Sequence, residues 1–401
     1  MTSADDPIDS APGWAENPIA FLIGADASGR FFDTHYEQAP LLARHGDPTR
    51  FADLLSVEQV DAFLNGADLR RGMVDLAGDA APPPGDYVND GDRIVTPVVM
   101  EAYHAGATII LPSLHDSLPG LGRFCRALEA ALSCRVQTNI YLTPANAQGF
   151  RTHYDTHDVF VLQIAGAKRW RLYAEPAPTP FRGEGFDAAA HPAGDLADEF
   201  ELAPGDCVYV PRGWQHDAPN RGGAPSLHIT VGLLTRTWAD LMLEAVSEVA
   251  LAEPALRRSL PPGYARRDFD RGAAAARFAE LAALIGAKVR MDNAFEAIGD
   301  DFLRGTRPDL AGVIAAPFPA GRYRARPVAG WRLAADGEAL VLIGPGGDIG
   351  FAADDAPALE RALGGAAFAA ADLDHADPER LIRALWANGY LEIAGRPLTG
   401  R

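Results

Sequence analysis

Thr152-His153-Tyr154-Asp155-Thr156-His157-Asp158 leads without a break into Val159-Phe160-Val161-Leu162-Gln163-Ile164. The second half is an apolar, β-branched run with strand character, and the first half is its polar approach. In extended backbone, residues two apart share a side, so His153 and Asp155 aim an imidazole and a carboxylate at one point. That pair alone says little, because such triplets commonly sit in exposed turns. A metal would need a third donor. His157 offers one from the same stretch, in the manner of a zinc loop, although alternate residues on one strand splay rather than close around an ion. His216 offers another: Pro204-Gly205-Asp206-Cys207-Val208-Tyr209-Val210-Pro211-Arg212-Gly213-Trp214-Gln215-His216 reads as turn, short strand, turn and a histidine at the exit. Two imidazoles and one carboxylate on one face of an octahedron leave positions open, which suits a ferrous ion holding a cosubstrate and oxygen together.

Working outward, short segments of strand character recur at Val136 to Thr143, Val159 to Ile164, Arg169 to Tyr173, Cys207 to Val210 and Leu227 to Leu233, with Pro and Gly turns between them. Closely spaced strands without intervening helices predict an antiparallel sandwich or barrel. The period of two places Lys168 on the side of Trp170 and Leu172, facing inward, where an ammonium is costly unless it meets an anion. That anion is either an internal Asp or Glu, or an acidic small molecule bridging lysine and metal. Asn139, Tyr141 and Thr143 share one side of their strand, as do Ser226, His228 and Thr230 of theirs. Convergence with the metal candidates favours a wet pocket over plain solvent exposure, and it makes His228 a competitor to His216 as third ligand. His35, His45, His104, His115, His191 and His375 lie outside this region and read as surface or core residues.

Upstream, Leu121, Phe124, Leu128 and Leu132 fall at helical spacing, and Ala81-Pro82-Pro83-Pro84-Gly85 reads as a surface loop. Downstream the texture is helical, from Trp238 to Pro254 and again from Ala273 to Lys288, a block suited to self-association. The last part predicts a strand at Glu338 to Ile343 and helices at Ala356 to Leu363 and Asp377 to Asn388. Gly389 ends the last helix before Tyr390-Leu391-Glu392-Ile393. Helix, glycine and short strand are compatible with a winged helix.

Composition bounds the function. With 401 residues, 48% hydrophobic and 22% charged, the chain is long enough for two or three domains with real cores. No apolar run approaches a membrane span, and the polar, acidic stretch from Met1 to Glu16 lacks the pattern of a signal peptide, so a cytoplasmic protein is expected. Cys125, Cys134 and Cys207 have no paired spacing and are expected as small buried hydrophobes. The net charge of −18 opposes a phosphate backbone, so direct nucleic-acid binding is not expected. The excess is uneven: residues 277–401 hold 14 basic and 17 acidic groups, net −3, leaving −15 of the −18 for residues 1–276. Such a field draws a basic partner and speeds its arrival, and serves solubility equally.

Taken in order, Asn139-Ile-Tyr141, Gln148-Gly-Phe150, His153-Tyr-Asp155, Val159 to Gln163, Gly166-x-Lys168-x-Trp170 and Gly205-Asp206-x-x-Tyr209-x-Pro211-x-Gly213-Trp214-x-His216 resemble the JmjC-type cupin oxygenases. Within them the chain is most similar to the ribosomal oxygenases, which hydroxylate side chains of ribosomal proteins. The resemblance implies a double-stranded β-helix jelly roll over residues 1–235, a helical dimerisation region over 236–288 and a winged-helix-like domain over 289–401. It implies Fe(II) on His153, Asp155 and His216, and 2-oxoglutarate with its far carboxylate on Lys168. Asn139 falls where the family has a polar cosubstrate residue; Tyr141, His228 and Thr230 are further pocket candidates. A homodimer acting on a basic peptide is then expected. Two rival readings remain: a cupin isomerase or hydrolase on zinc or nickel without the keto acid, and a non-catalytic interaction protein.

Overall fold

The computed structural model describes residues 13–174, 176–314, 321–327 and 330–395, so most of the acidic opening stretch lies outside the described residues. The chain divides into two compact units: residues 1–234, 309–329 and 358–401 in one, residues 235–308 and 330–357 in the other.

The two main sheets of the first unit use ten strands: β1 (Leu41–Ala43), β2 (Asp75–Ala77), β3 (Thr108–Pro112), β4 (Arg135–Thr143), β5 (Asp158–Ala165), β6 (Lys168–Tyr173), β7 (Leu196–Leu202), β8 (Cys207–Val210), β9 (His216–Asp217) and β10 (Ser226–Leu234). A seven-stranded sheet runs β1-β8-β5-β10-β4-β3-β2, and a three-stranded sheet runs β7-β6-β9. Every pairing in them is antiparallel. Period-two alternation decides what each face holds. Val159 and Val161 of β5 and Val208 and Val210 of β8 turn inward, against Trp170 and Leu172 of β6 and Phe200 and Leu202 of β7. Their neighbours Phe160, Leu162 and Tyr209 turn to the opposite face, in one core with Leu121, Phe124 and Leu128 of the helix Pro119–Leu132. The three cysteines are buried and unpaired, with burial raising each thiol's pKa.

All five expected strands form, Cys207–Val210 at the expected bounds. The sequence reading passed over β1, β2, β3, β7 and the two-residue β9. β1 and β2 have three residues each, and β7, Leu-Ala-Asp-Glu-Phe-Glu-Leu, buries only Phe200 and Leu202 because it is an edge strand with a wet face.

Residues 289–401 do not form one domain. Within the first unit, Tyr323–Ala325 pairs with Leu391–Ile393, and Asp309 accepts ion pairs from Arg326 at 3.4 Å and from Arg126 of the helix Pro119–Leu132 at 3.9 Å. Arg326 and Asp309 are both buried, so separating them would strand a charge, at about 3–5 kcal/mol. The last helix, Pro378–Ala387, is capped by Asp377 and followed by Gly389 at φ 80°.

The second unit holds helices Trp238–Ala252, Gly272–Lys288 and Met291–Gly305 and a meander of Arg332–Asp336, Ala339–Gly344 and Gly347–Ala352. Thr237 and Asp240 cap the first helix reciprocally. Arg332 grips Asp300 with two bonds, of 2.7 and 2.6 Å, joining meander to helix. No described helix is long and apolar enough to cross a membrane.

Candidate metal centre

Backbone pairing brings distant histidines together. The His153 N–H donates to the His216 carbonyl at 3.1 Å and the His216 N–H returns a bond of 2.8 Å, a closed antiparallel pair across 63 residues of chain. The two side chains therefore leave on one side, with ring centroids 4.7 Å apart. Asp155 completes the group, its oxygens 4.0 Å from His153 Nε2 and 3.8 Å from His216 Nε2. One donor atom from each of the three lies within 4.8 Å of the others, a spacing a single cation bridges.

The tautomers suit such an ion. His153 Nδ1 lies 2.8 Å from the Arg151 carbonyl and His216 Nδ1 2.9 Å from the Trp214 carbonyl; a carbonyl only accepts, so each Nδ1 carries the hydrogen and each Nε2 presents a lone pair to Asp155's side. Burial, then the neighbouring His153, hold His216 below the ordinary imidazole value, which keeps that lone pair free. The Trp170 indole stacks on the His216 ring at 5.6 Å and fixes its plane.

Two buried carboxylates outside the triad hold the frame. Asp217 accepts from Thr152 Oγ1 and Tyr173 Oη, both at 2.7 Å, and from Arg171 Nε at 2.8 Å, so β9, β6 and the approach to His153 meet on one side chain. Asp158 accepts from Tyr209 Oη and Arg212 Nη1, each at 2.8 Å, which fastens the start of β5 to the turn that carries His216. Gly213 sits in that turn at φ 86°, where an added Cβ would meet the Ala177 carbonyl oxygen at 2.1 Å, and its N–H donates to the Asp155 carbonyl at 3.0 Å. Gly213→Ala should therefore lower stability by about 1–3 kcal/mol. It should also weaken metal binding several-fold, since Asp155 loses its backbone brace; thermal melting and a metal titration would show both.

The triad stands on the wall of a cleft of about 550 Å³ open to solvent. Tyr141, Lys168, Trp170, His228 and Thr230 line it with Val159 and Val161. Lys168 is 4% exposed, and among the described residues no carboxylate pairs with it. The internal acid that would have satisfied it is absent from that set. Burial alone pushes its pKa down to about 7. Trp170 Nε1 and His228 Nδ1 are likewise buried without a partner among the described residues. His228 is held well below the ordinary imidazole value by burial and then by Lys168.

The candidates separate cleanly. His228 stacks on Tyr141 at 4.8 Å, apart from the three-donor group. His157 lies over Gly232 of β10, where an added Cβ would meet its Nε2 at 2.7 Å, and it is not part of that group either. Asn139 is half-buried beside the cavity rather than in its lining, on the same side of β4 as Tyr141. Asp217, Thr108 and the Trp170 N–H were missed as contributors. For Thr108 the signal existed, since Thr108-Ile109-Ile110-Leu111 is a β-branched run; for Asp217 nothing local announces partners 44 to 65 residues away.

Residues 116–241 match the JmjC domain model. The chain carries a JmjC domain. It is 32% identical over 252 residues to the bifunctional lysine-specific demethylase and histidyl-hydroxylase NO66 of Aedes aegypti, covering 61% of this chain and 39% of that protein. It is 33% identical over 249 residues to ribosomal oxygenase 1 of Gallus gallus, covering 60% of this chain and 41% of that one. The match thus spans about two fifths of the length of these curated relatives. The JmjC domain and its flanks have the fold of the Escherichia coli ribosomal oxygenase YcfD, solved with cobalt and 2-oxoglutarate, with a TM-score of 0.52, 16% identity, and 91% of this chain and 97% of that one covered.

Proposed function

We propose that the protein is an Fe(II)- and 2-oxoglutarate-dependent protein hydroxylase whose target is a side chain of a ribosomal protein or similar basic peptide. One observation carries this reading: an unpaired buried ammonium, Lys168, at the floor of the same cavity that carries two imidazoles and a carboxylate on its wall. A metal hydrolase needs the triad but has no use for the ammonium, whereas a chelating keto acid with a second carboxylate needs both.

His153, Asp155 and His216 would hold the iron, and the iron with 2-oxoglutarate would supply oxidising power toward a C–H bond. The chain's own share is binding, orientation and exclusion of water. Lys168 pairs with the far carboxylate by a charge-assisted bond, and Tyr141, Thr230 and His228 close the polar side of the same pocket, with Asn139 beside it. Trp170 and the valines at 159 and 161 keep the floor dry, which strengthens that pairing. The test is succinate formation from 2-oxoglutarate by the purified chain, dependent on Fe(II). Mass spectrometry of ribosomal proteins from cells with and without the gene would then find the peptide heavier by one oxygen atom.

The same reading includes a cytoplasmic homodimer. The helix Gly272–Lys288 buries none of its residues although Phe278, Leu281, Leu284 and Ile285 give it an apolar side, and Phe278 is 75% exposed. A largely apolar, unburied helix is poorly stable alone and finds its partner in a second copy. Phe278→Asp is expected to halve the mass seen by light scattering at micromolar concentration. The pairing of Tyr323–Ala325 with Leu391–Ile393 beside Pro378–Ala387 supports a winged-helix-like packing module in the first unit.

A further inference from the structure

The cavity does not end at the triad. Register across the large sheet lines up Asp75 of β2, Ile110 of β3, Tyr141 of β4 and His228 of β10 as successive cross-strand partners. Paired residues of an antiparallel sheet share a face, and Tyr141 and His228 line the cavity. Asp75 therefore stands on that same inner face, at the open end of the row. The neighbours agree: Ile109 and Leu111 belong to the core on the other face, and Ile110 does not. Asp75 is exposed and has neither an ion-pair nor a hydrogen-bond partner among the described residues. The nearby Arg71 is held by Asp92 at 2.8 Å, and Arg151 is paired with Asp79 at 3.2 Å. Its field reaches the pocket, since after burial the Tyr141 phenol is raised by Asp155 and, from the other side, by Asp75. At the mouth, Phe150 is 44% exposed with its ring 5.5 Å from that of His153.

We propose that the inner face running from Phe150 to Asp75 is the bed for the substrate chain, with Asp75 pairing a cationic side chain of the target and Phe150 packing on the residue presented to the metal. The occupant is a basic peptide segment, and this rests on the hydroxylase reading above. Charge complementarity argues for it: an unpaired carboxylate faces the groove in the part of the chain that carries −15 of the net −18. The sheet sets the spacing. Two strand intervals of about 4.8 Å place Asp75 about 10 Å from Tyr141, the reach of about three residues of extended peptide. A cation held by Asp75 thus lies about three positions along the peptide from the residue that passes over Tyr141.

The test uses two fluorescein-labelled decapeptides with one shared alanine and glycine frame, one carrying two arginines three apart and the other two glutamates. Anisotropy is read on the full-length protein loaded with Mn(II) and 2-oxoglutarate without oxygen. The wild type should bind the arginine peptide at least about tenfold more tightly, since the carboxylate attracts one peptide and repels the other. Asp75→Asn should lose most of that preference, Asp75→Lys should reverse it, and Asp75→Glu should keep it; Phe150→Ala should weaken both peptides alike. An arginine preference unchanged in Asp75→Asn and Asp75→Lys overturns the proposal, as does a wild type without preference. Because anisotropy needs no turnover, a wild type that shows the Asp75-dependent preference but makes no succinate would sink the hydroxylase reading and leave the groove standing.

Discussion

Replacing His153 with alanine should abolish Fe(II)-dependent succinate formation, with a loss beyond the roughly 100-fold that losing even an outer-shell partner costs a metal site. Three ligands take one face of an octahedron and leave room for a bidentate keto acid and oxygen, and His153 shares its backbone pair with His216. Its removal takes one donor and leaves the brace intact, because the pair uses main-chain atoms. Circular dichroism should stay native while Mn(II) affinity collapses. Turnover surviving in His153→Ala would reject the mechanism, and a chelator should reproduce the loss in the wild type, reversed by added Fe(II).

The second large effect concerns Lys168. Lys168→Met keeps the unbranched stem of the side chain and removes its charged end, so the 2-oxoglutarate requirement should rise about 10- to 100-fold, matching about 1.5–3 kcal/mol for a charge-assisted bond. The pH dependence follows from the direction of the shift. Burial lowers the pKa of the empty site to about 7, so the ammonium that the anion needs is fully present below pH 7 and lost above it. Affinity of the wild type should fall about tenfold per pH unit above 7, until the pKa of the complex is passed. Stability runs the other way. Between pH 7 and the ordinary lysine value of 10.5 the unfolded chain holds the extra proton, so the empty protein gains stability as pH rises through that window. At pH 6 the full penalty of the unpaired charge is present, and empty Lys168→Met should melt no lower than the wild type. Equal 2-oxoglutarate affinity in the variant and the wild type at pH 6 would remove Lys168 from the site.

These two predictions rest on residues of unequal visibility. Lys168 was legible because strand alternation is local: its burial follows from sharing a face with Trp170 and Leu172. Whether an acid inside the protein answered it was not legible, since a partner could come from any strand of either sheet. Strand pattern alone left the choice of His216 over His157 and His228 open for the same reason, and only the resemblance of the Pro211-x-Gly213-Trp214-x-His216 stretch favoured His216. Spacing along one strand argued against His157, but the pairing of His153 with His216 is a property of the assembled sheet. The domain division shows the limit most plainly, because Asp309 and Arg326 read as ordinary charges until the fold sets them against Arg126.

By itself the chain determined where the longer strands of the first unit form, which side of each is polar, that His153 and Asp155 share a side, and that Lys168 faces inward, because these depend on neighbours one to four residues apart. Only the tertiary structure decided which distant side chains meet: His216 beside Asp155, no carboxylate of the described residues beside Lys168, Asp75 in line with Tyr141. Register between strands is set by packing and hydrogen bonding summed over whole sheets, and no short stretch of sequence contains that sum.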